Sequence, residues 1–315
     1  MNYELAKSIF ILIFFGALLA VSASWVVQGS AFLAKKFAVK SFVLGFLLLG
    51  IITTIPEMFV AFQAVRDGMP QLTVGNLLGG SILLLSFAMG IGAICLKRVI
   101  LDHGMTVKDI LFSSIVVAAP SVVLWDGQLT RIEGVLLIAI YVFHVLFINR
   151  EHHVMTNIEH HAKHVKHVTH AIILFVLGIV GVAISSHFMV STAESLTKVC
   201  NISPFIVGLF LLTLGTNLPE LTLVVTAIRQ KKKDLAFGDI LGSAAVNTPI
   251  LGVVCLIAPF SVSDTLRTQV TLGLLFIISL FFYLAASTKK DITRKEGIIL
   301  LLVYVAFVAF ELLRI

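Results

Sequence analysis

Two glutamates stand in the middle of long apolar runs, each directly after a proline: Thr53-Thr-Ile-Pro-Glu57 and Thr216-Asn-Leu-Pro-Glu220. A charged carboxylate at the centre of a bilayer costs roughly 2.5–3.5 kcal/mol even on the most lenient scale, so it persists only beside a partner. Neither run contains a lysine or arginine. The partner these acids require is a cation from solution, or a proton. Each proline lacks an amide hydrogen and clashes one turn back, which frees carbonyls near Ile52 and Gly215. Freed carbonyls at membrane depth are tolerated where they line a cavity or bind something. Thr53, Thr54, Thr216 and Asn217 add side-chain oxygens beside them. Two carboxylates with hydroxyl, amide and carbonyl oxygens can supply the roughly six to eight contacts that Ca²⁺ takes. No cysteine or histidine belongs to the set, which argues against a zinc- or copper-selective site. A lone buried glutamate is often just a protonated carboxyl bonded to a neighbouring helix. Two acids in matching places, each after proline, favour a cation site.

The matching is an internal repeat. Sliding the chain against itself by 163 residues aligns residues 45–79 with 208–242 without a gap, and 12 of 35 positions are identical. Leucine identities in apolar helices mean little. The shared Thr-x-x-Pro-Glu and Gly-x-x-x-Gly (Gly75 and Gly79, Gly238 and Gly242) at one offset mean more. Downstream, Ser243 and Asn247 lie four apart, hence on one helix face, where they can point at the carboxylates. Asn76 and Asp239 hold equivalent places near the starts of their helices, where capping or an interfacial seat is the ordinary role. The glycines, Gly80 included, allow close helix approach.

These residues need elements to hold them. Of 315 residues 58% are hydrophobic and 13% charged, with mean hydropathy +1.05. A soluble domain carries about a quarter charged residues, so soluble enzyme, disordered tail and disulfide scaffold are excluded together. Cys95, Cys200 and Cys255 show no metal spacing. Apolar stretches centre on 8–30, 41–65, 72–96, 109–125, 132–148, 170–192, 203–228, 235–260, 267–287 and 296–313, each near the ~20 residues of a spanning helix. The first resembles a secretory signal up to Val21-Ser22-Ala23-Ser24, but is read as a retained helix. With the N-terminus outside, all of the 23 lysines and arginines except Lys7, Arg66, Arg131, Lys198, Arg267 and Arg314 fall in cytoplasmic loops, the bias that insertion favours. The net charge of +6 therefore reads as loop charge on a membrane protein, not as a nucleic-acid surface. The expected fold is an all-α integral membrane protein of the cell (inner) membrane, with both termini outside. Its ten transmembrane helices form two five-helix repeats, residues 1–148 and 171–315, joined by a cytoplasmic loop, 149–170. Five is odd, so the second repeat enters the bilayer inverted. Inverted repeats with interrupted helices place a binding site at the midplane between them.

The two segments resemble the paired alpha-repeats of the sodium/calcium exchanger family, within the calcium:cation antiporter superfamily. That family shows Gly-Thr-Ser-x-Pro-Glu followed by Gly-Asn-x-x-Gly-Ser-Asn-x-x-Asn or Asp. The second repeat matches it in Gly215-Thr-Asn-Leu-Pro-Glu220 and in Gly238-Asp-Ile-Leu-Gly-Ser-Ala-Ala-Val-Asn247. The first is eroded, with Gly80 where the family has a ligating serine and Leu84 where it has Asn or Asp. The resemblance implies a secondary antiporter whose substrates are Ca²⁺ and Na⁺ or H⁺, with ligands Thr53, Thr54, Glu57, Thr216, Asn217, Glu220, Ser243 and Asn247. The erosion puts the family's usual three-sodium-for-one-calcium arrangement in question. Gly80-Ser-Ile-Leu83 is similar to a short motif of the cation/proton exchangers.

Seven of ten histidines fall in residues 151–170. If that segment is helical, His160, His164 and His167 share a face that can hold a regulatory Zn²⁺ or Ni²⁺. The plainer reading is a solvated linker along the headgroups. His144 and His187 read as packed neutral histidines within helices, and Glu194 as interfacial. No organic cofactor and no nucleic acid is expected. The partners are inorganic cations and the lipid bilayer, and the oligomeric state is left open, a monomer included. His-Glu-x-x-His and Gly-x-Ser-x-Gly are both absent, so the chain reads as no enzyme. A non-transporting cation or pH sensor built on the same fold is the alternative.

Overall fold

A computed structural model of the chain describes residues 2–36, 54–100, 106–148, 167–231, 237–262, 265–289 and 291–314. Every expected apolar stretch coincides at least in part with a helix. These are α1 (Asn2–Lys36), α2 (Ile55–Arg66) and α3 (Pro70–Leu96), then α4 (Val107–Val123), α5 (Arg131–Ile148) and α6 (Val168–Cys200). They continue with α7 (Pro204–Thr216), α8 (Leu218–Gln230), α9 (Phe237–Ile257), α10 (Thr265–Lys289) and α11 (Arg294–Leu312). Among the described residues five helices are long and apolar enough to cross a membrane unaided: α1, α3, α6, α9 and α10. The pair α7 and α8, bent by 51° at a short break, makes a sixth crossing when counted as one span. Shorter α4, with 17 residues, and charge-ended α11, which opens on Arg294-Lys295-Glu296, do not meet that measure alone.

Two breaks set the architecture. Pro56 and Pro219 fall in the first turn of α2 and α8, where a missing amide hydrogen costs nothing. The residues just before those helices, Thr54 (φ −93°, ψ 9°) and Asn217 (φ −91°, ψ 10°), share one backbone conformation in the sparsely populated bridge region. They are 163 positions apart, so the hinge recurs as the repeat does.

The same offset runs on beyond the aligned segments. Helix α5 starts from Thr130-Arg-Ile-Glu133 and α11 from Thr293-Arg-Lys-Glu296. In both, the glutamate side chain accepts the threonine amide (2.6 and 2.7 Å) and the threonine hydroxyl accepts the glutamate amide, a reciprocal cap that satisfies two orphan donors. Short strands then join the halves crosswise. β1 (Arg98–Ile100), after α3, pairs antiparallel with β4 (Asp291–Thr293), before α11. β2 (Gln128–Leu129), before α5, pairs with β3 (Phe260–Ser261), after α9. One sheet thus joins the strand after α3 to the strand before α11, and the other joins the strand after α9 to the strand before α5.

Packing divides the helices into two groups. α1 lies along α6, and with α2 they share a core of Leu19, Ala23, Val26, Val60, Val182, Met189 and Val190. The other core joins α3, α4, α5, α9, α10 and α11. Where α3 crosses α7, glycine is required. A Cβ on Gly75 would overlap the carbonyl of Phe205, and one on Gly208 would overlap that of Leu72. Backbones this close are how helices associate in lipid, where burial of apolar surface gives no drive.

Candidate cation-binding site

The hinge before α8 brings its polar residues against α3. Thr216 is fully buried, and its hydroxyl donates to Asn76 Oδ1 on α3 at 3.2 Å. Asn217 turns its amide back onto the helix it ends, donating through Nδ2 to Thr213 O (3.0 Å) and Thr216 Oγ1 (3.1 Å). Thr213 donates in turn to the backbone carbonyl of Asn76 (3.0 Å). Hydroxyls and amides thus lace α3 to the α7–α8 hinge, and Thr73 Oγ1 on α3 donates to Ala61 O on α2 (3.2 Å).

Helix α9 closes the site from the other side. Asn247 Nδ2 donates to Ser81 Oγ (3.1 Å) and Leu77 O (3.3 Å) on α3, and Ser81 Oγ lies 3.3 Å from Ala244 O. Glu57, Glu220, Thr54, Thr216, Asn217, Ser243 and Asn247 are all less than 5% exposed. Among the described residues Glu57 Oε2, Ser243 Oγ, Asn247 Oδ1 and Asn76 Nδ2 are buried without a hydrogen-bond partner. Buried polar atoms are normally satisfied, because an orphan costs about 1–3 kcal/mol. Three of those four are oxygens, the donors a hard cation takes. Helices α3, α7 and α9 contain no basic residue. The arrangement can strip water from a cation and replace it with two carboxylates, hydroxyls and an amide oxygen.

Of the expected ligands, Thr54, Glu57, Thr216, Asn217, Glu220, Ser243 and Asn247 are buried residues of α2, the hinge, α8 and α9. Thr53 lies outside the described residues, as do His160 and His164. His167 is an exposed residue just before α6. Among the described residues no group of three or more His, Cys, Asp or Glu side chains is placed to hold a metal.

Some expectations are corrected. Asn76 is neither a cap nor interfacial. Its helix begins at Pro70, so the residue falls in the second turn, 1% exposed and bonded to Thr216. His187 is exposed rather than packed, with Phe59, Phe62, Gln63 and Arg66 along a groove between α2 and α6. Arg267, counted on the outer side, is 8% exposed at the start of α10 and lies 3.3 Å from Glu311 on α11, a pairing that leaves its side of the membrane untouched. His144 is buried as expected, 2.9 Å from Ser113 Oγ, and Glu194 pairs with Lys198 at the exposed end of α6. Ser81 and Thr213 entered no ligand set. The signal for Ser81 was its place beside Gly80 in the repeat, whereas nothing in the sequence singles out Thr213.

Comparison with known proteins gives one consistent answer. A family model described as "Sodium/calcium exchanger protein" matches residues 7–149 and 170–313. The sodium/calcium exchanger MaX1 of Methanosarcina acetivorans is 27% identical, over 95% of this chain and 97% of its own length. The inner membrane protein YrbG of Escherichia coli is 27% identical over 87% of each chain. Among solved structures, the sodium-calcium exchanger NCX_Mj soaked with Na⁺ and Sr²⁺ superposes with a TM-score of 0.66 at 26% identity, covering 96% of this chain and 97% of the other.

Proposed function

Since this chain belongs to the sodium/calcium exchanger family, we propose that it is a secondary antiporter that carries Ca²⁺ one way and Na⁺ or H⁺ the other. The cation seats between the halves, held by Glu57 and Glu220 with oxygens from Thr53, Thr54, Thr216, Asn217, Ser243 and Asn247. Ten crossings in two inverted five-helix halves, with both termini outside, carry it. The crosswise strand pairs support this topology. Two halves inverted about an axis in the membrane place the end of one third helix and the start of the opposite fifth helix on the same side.

The observation that carries the reading is the contact across the halves: Asn76 of the first is bonded to Thr216 of the second, at the hinge beside Glu220. Charge then dictates the transport cycle. Two buried carboxylates cannot pass through a closed intermediate unless neutralised, so the site changes its exposure only when loaded. α1 and α6, which lie along one another, slide to open one side and then the other. The pairing of a divalent cation on one stroke with sodium or protons on the other satisfies the same charge requirement.

Reconstituted vesicles test this. Calcium uptake is expected under an outward-directed sodium gradient or an outward-directed proton gradient, and whichever drives it identifies the counter-ion. Uptake that follows neither gradient contradicts antiport.

A further inference from the structure

The internal repeat allows the two halves of the site to be compared residue for residue, and they are not alike. Thr54 matches Asn217 and Glu57 matches Glu220, oxygen for oxygen. The next pair breaks the match: Gly80 stands where the second half has Ser243, and Leu84 stands where it has Asn247. Ser243 Oγ and Asn247 Oδ1 are both buried and unpartnered among the described residues. Their counterparts offer no side-chain oxygen at all.

The geometry accounts for the gap. A methyl group added to Gly80 would stand 3.1 Å from Asn217 Nδ2 and 3.1 Å from Asn247 Nδ2. Two amide groups of the second half therefore lean over the bare backbone of α3: Asn247 presents nitrogen, and Asn217 presents nitrogen with its oxygen 3.6 Å from the same point. Asn247 Nδ2 is fixed there by Ser81 Oγ and Leu77 O, and Asn217 Nδ2 by Thr213 O and Thr216 Oγ1. Amide nitrogen carries donor hydrogens and repels a cation. One turn further along α3, Leu84 is 1% exposed and apolar. The face of α3 thus gives a cation no side-chain oxygen at Gly80 or Leu84, while the unpartnered oxygens of Ser243 and Asn247 lie on α9.

Resting on the cation site proposed above, we infer that the protein seats a single metal cation at a time, off centre against α9, and that Gly80 and Leu84 set this occupancy by removing the mirror seat on α3. Calcium and a metal counter-ion then exclude one another rather than binding side by side.

Equilibrium dialysis of the purified full-length chain against radioactive calcium and radioactive sodium measures the occupancy. Bound calcium is expected to saturate at about one ion per chain, and no chain is expected to hold calcium and sodium together. Two calcium ions per chain, two sodium ions per chain, or joint occupancy overturns the inference. Leu84→Asn and Gly80→Ser restore the side chains of the second half to the first. At least one of them is expected to raise the sodium count above that of the unaltered protein, and an unchanged count in both folded variants overturns the role given to these positions. A chain that binds no calcium overturns the cation site itself, which distinguishes failure of the function from failure of the occupancy.

Discussion

The hydroxyl of Ser81 lies 3.3 Å from the backbone carbonyl of Ala244, the residue 163 positions further along the chain. That separation is the repeat offset, so Ser81 touches its own counterpart. Two helices meet at equivalent positions when a two-fold axis runs through their crossing. The axis proposed for the halves therefore passes beside Ser81, and Glu57, Glu220, Asn217 and Asn247 belong to the elements that gather around it. A site on such an axis is reachable from either half by the same motion.

The bond from Thr216 to Asn76 is expected to hold the hinge in place beside the carboxyls. Replacing Thr216 with valine keeps its shape and removes the hydroxyl that donates to Asn76. A hydrogen bond between neutral groups contributes about 0.5–1.5 kcal/mol. Calcium affinity measured by dialysis is expected to fall by about two- to tenfold, and Asn76→Leu is expected to weaken it in the same direction. Unchanged affinity in both variants contradicts the role.

The crossing of α3 and α7 tolerates no side chain. Gly75→Ala and Gly208→Ala each drive a methyl group into a carbonyl of the facing helix, and overpacking of this kind costs about 1–3 kcal/mol. Both variants are expected to unfold at lower temperature than the parent in detergent. Gly68→Ala serves as a comparison. Nothing lies within 4 Å of a Cβ there, although φ is +75°, so its loss comes from backbone strain alone and is expected to be about 1 kcal/mol.

Arg267 and Glu311 form a buried pair between α10 and α11, and Arg267 Nη2 also donates to the carbonyl of Arg314 at 2.7 Å. Removing one partner strands a buried charge, at a cost of about 3–5 kcal/mol, whereas replacing both with apolar residues is often close to neutral. Arg267→Met and Glu311→Leu are each expected to lower the unfolding midpoint sharply, and the double variant is expected to recover much of the loss. Additive losses in the double variant contradict the pairing.

Much of this molecule is written in local patterns. Composition and apolar runs locate the helices, because bilayer thickness fixes their length. The prolines mark the starts of α2 and α8, and the recurring Thr-x-x-Pro-Glu identifies both the hinge and its acids. What was not legible depends on partners far away in the chain. Asn76 reads as a cap until a residue 140 positions later is found at its side chain. Arg267 reads only as a charge on the outer side until Glu311 is seen beside it. The capping boxes of α5 and α11 were present as Thr-Arg-x-Glu-Gly, outside the aligned segments, and would have extended the repeat to the fifth helix of each half. The strands are two or three residues long, too short for any alternation to show. That Gly80 lies beneath two amide nitrogens is a matter of side-chain direction, which no spacing encodes.

Two buried acids, Glu57 and Glu220, are proposed to hold a cation between the halves. Calcium uptake into reconstituted vesicles, driven by the counter-ion gradient that serves the unaltered protein, measures this in Glu57→Gln and Glu220→Gln. Each change keeps the shape and removes a charge, and loss of about 3 kcal/mol of cation binding corresponds to about a hundredfold. Both variants, folded and inserted, are expected to lose uptake by at least that factor. Uptake at the full rate in either variant contradicts the assignment.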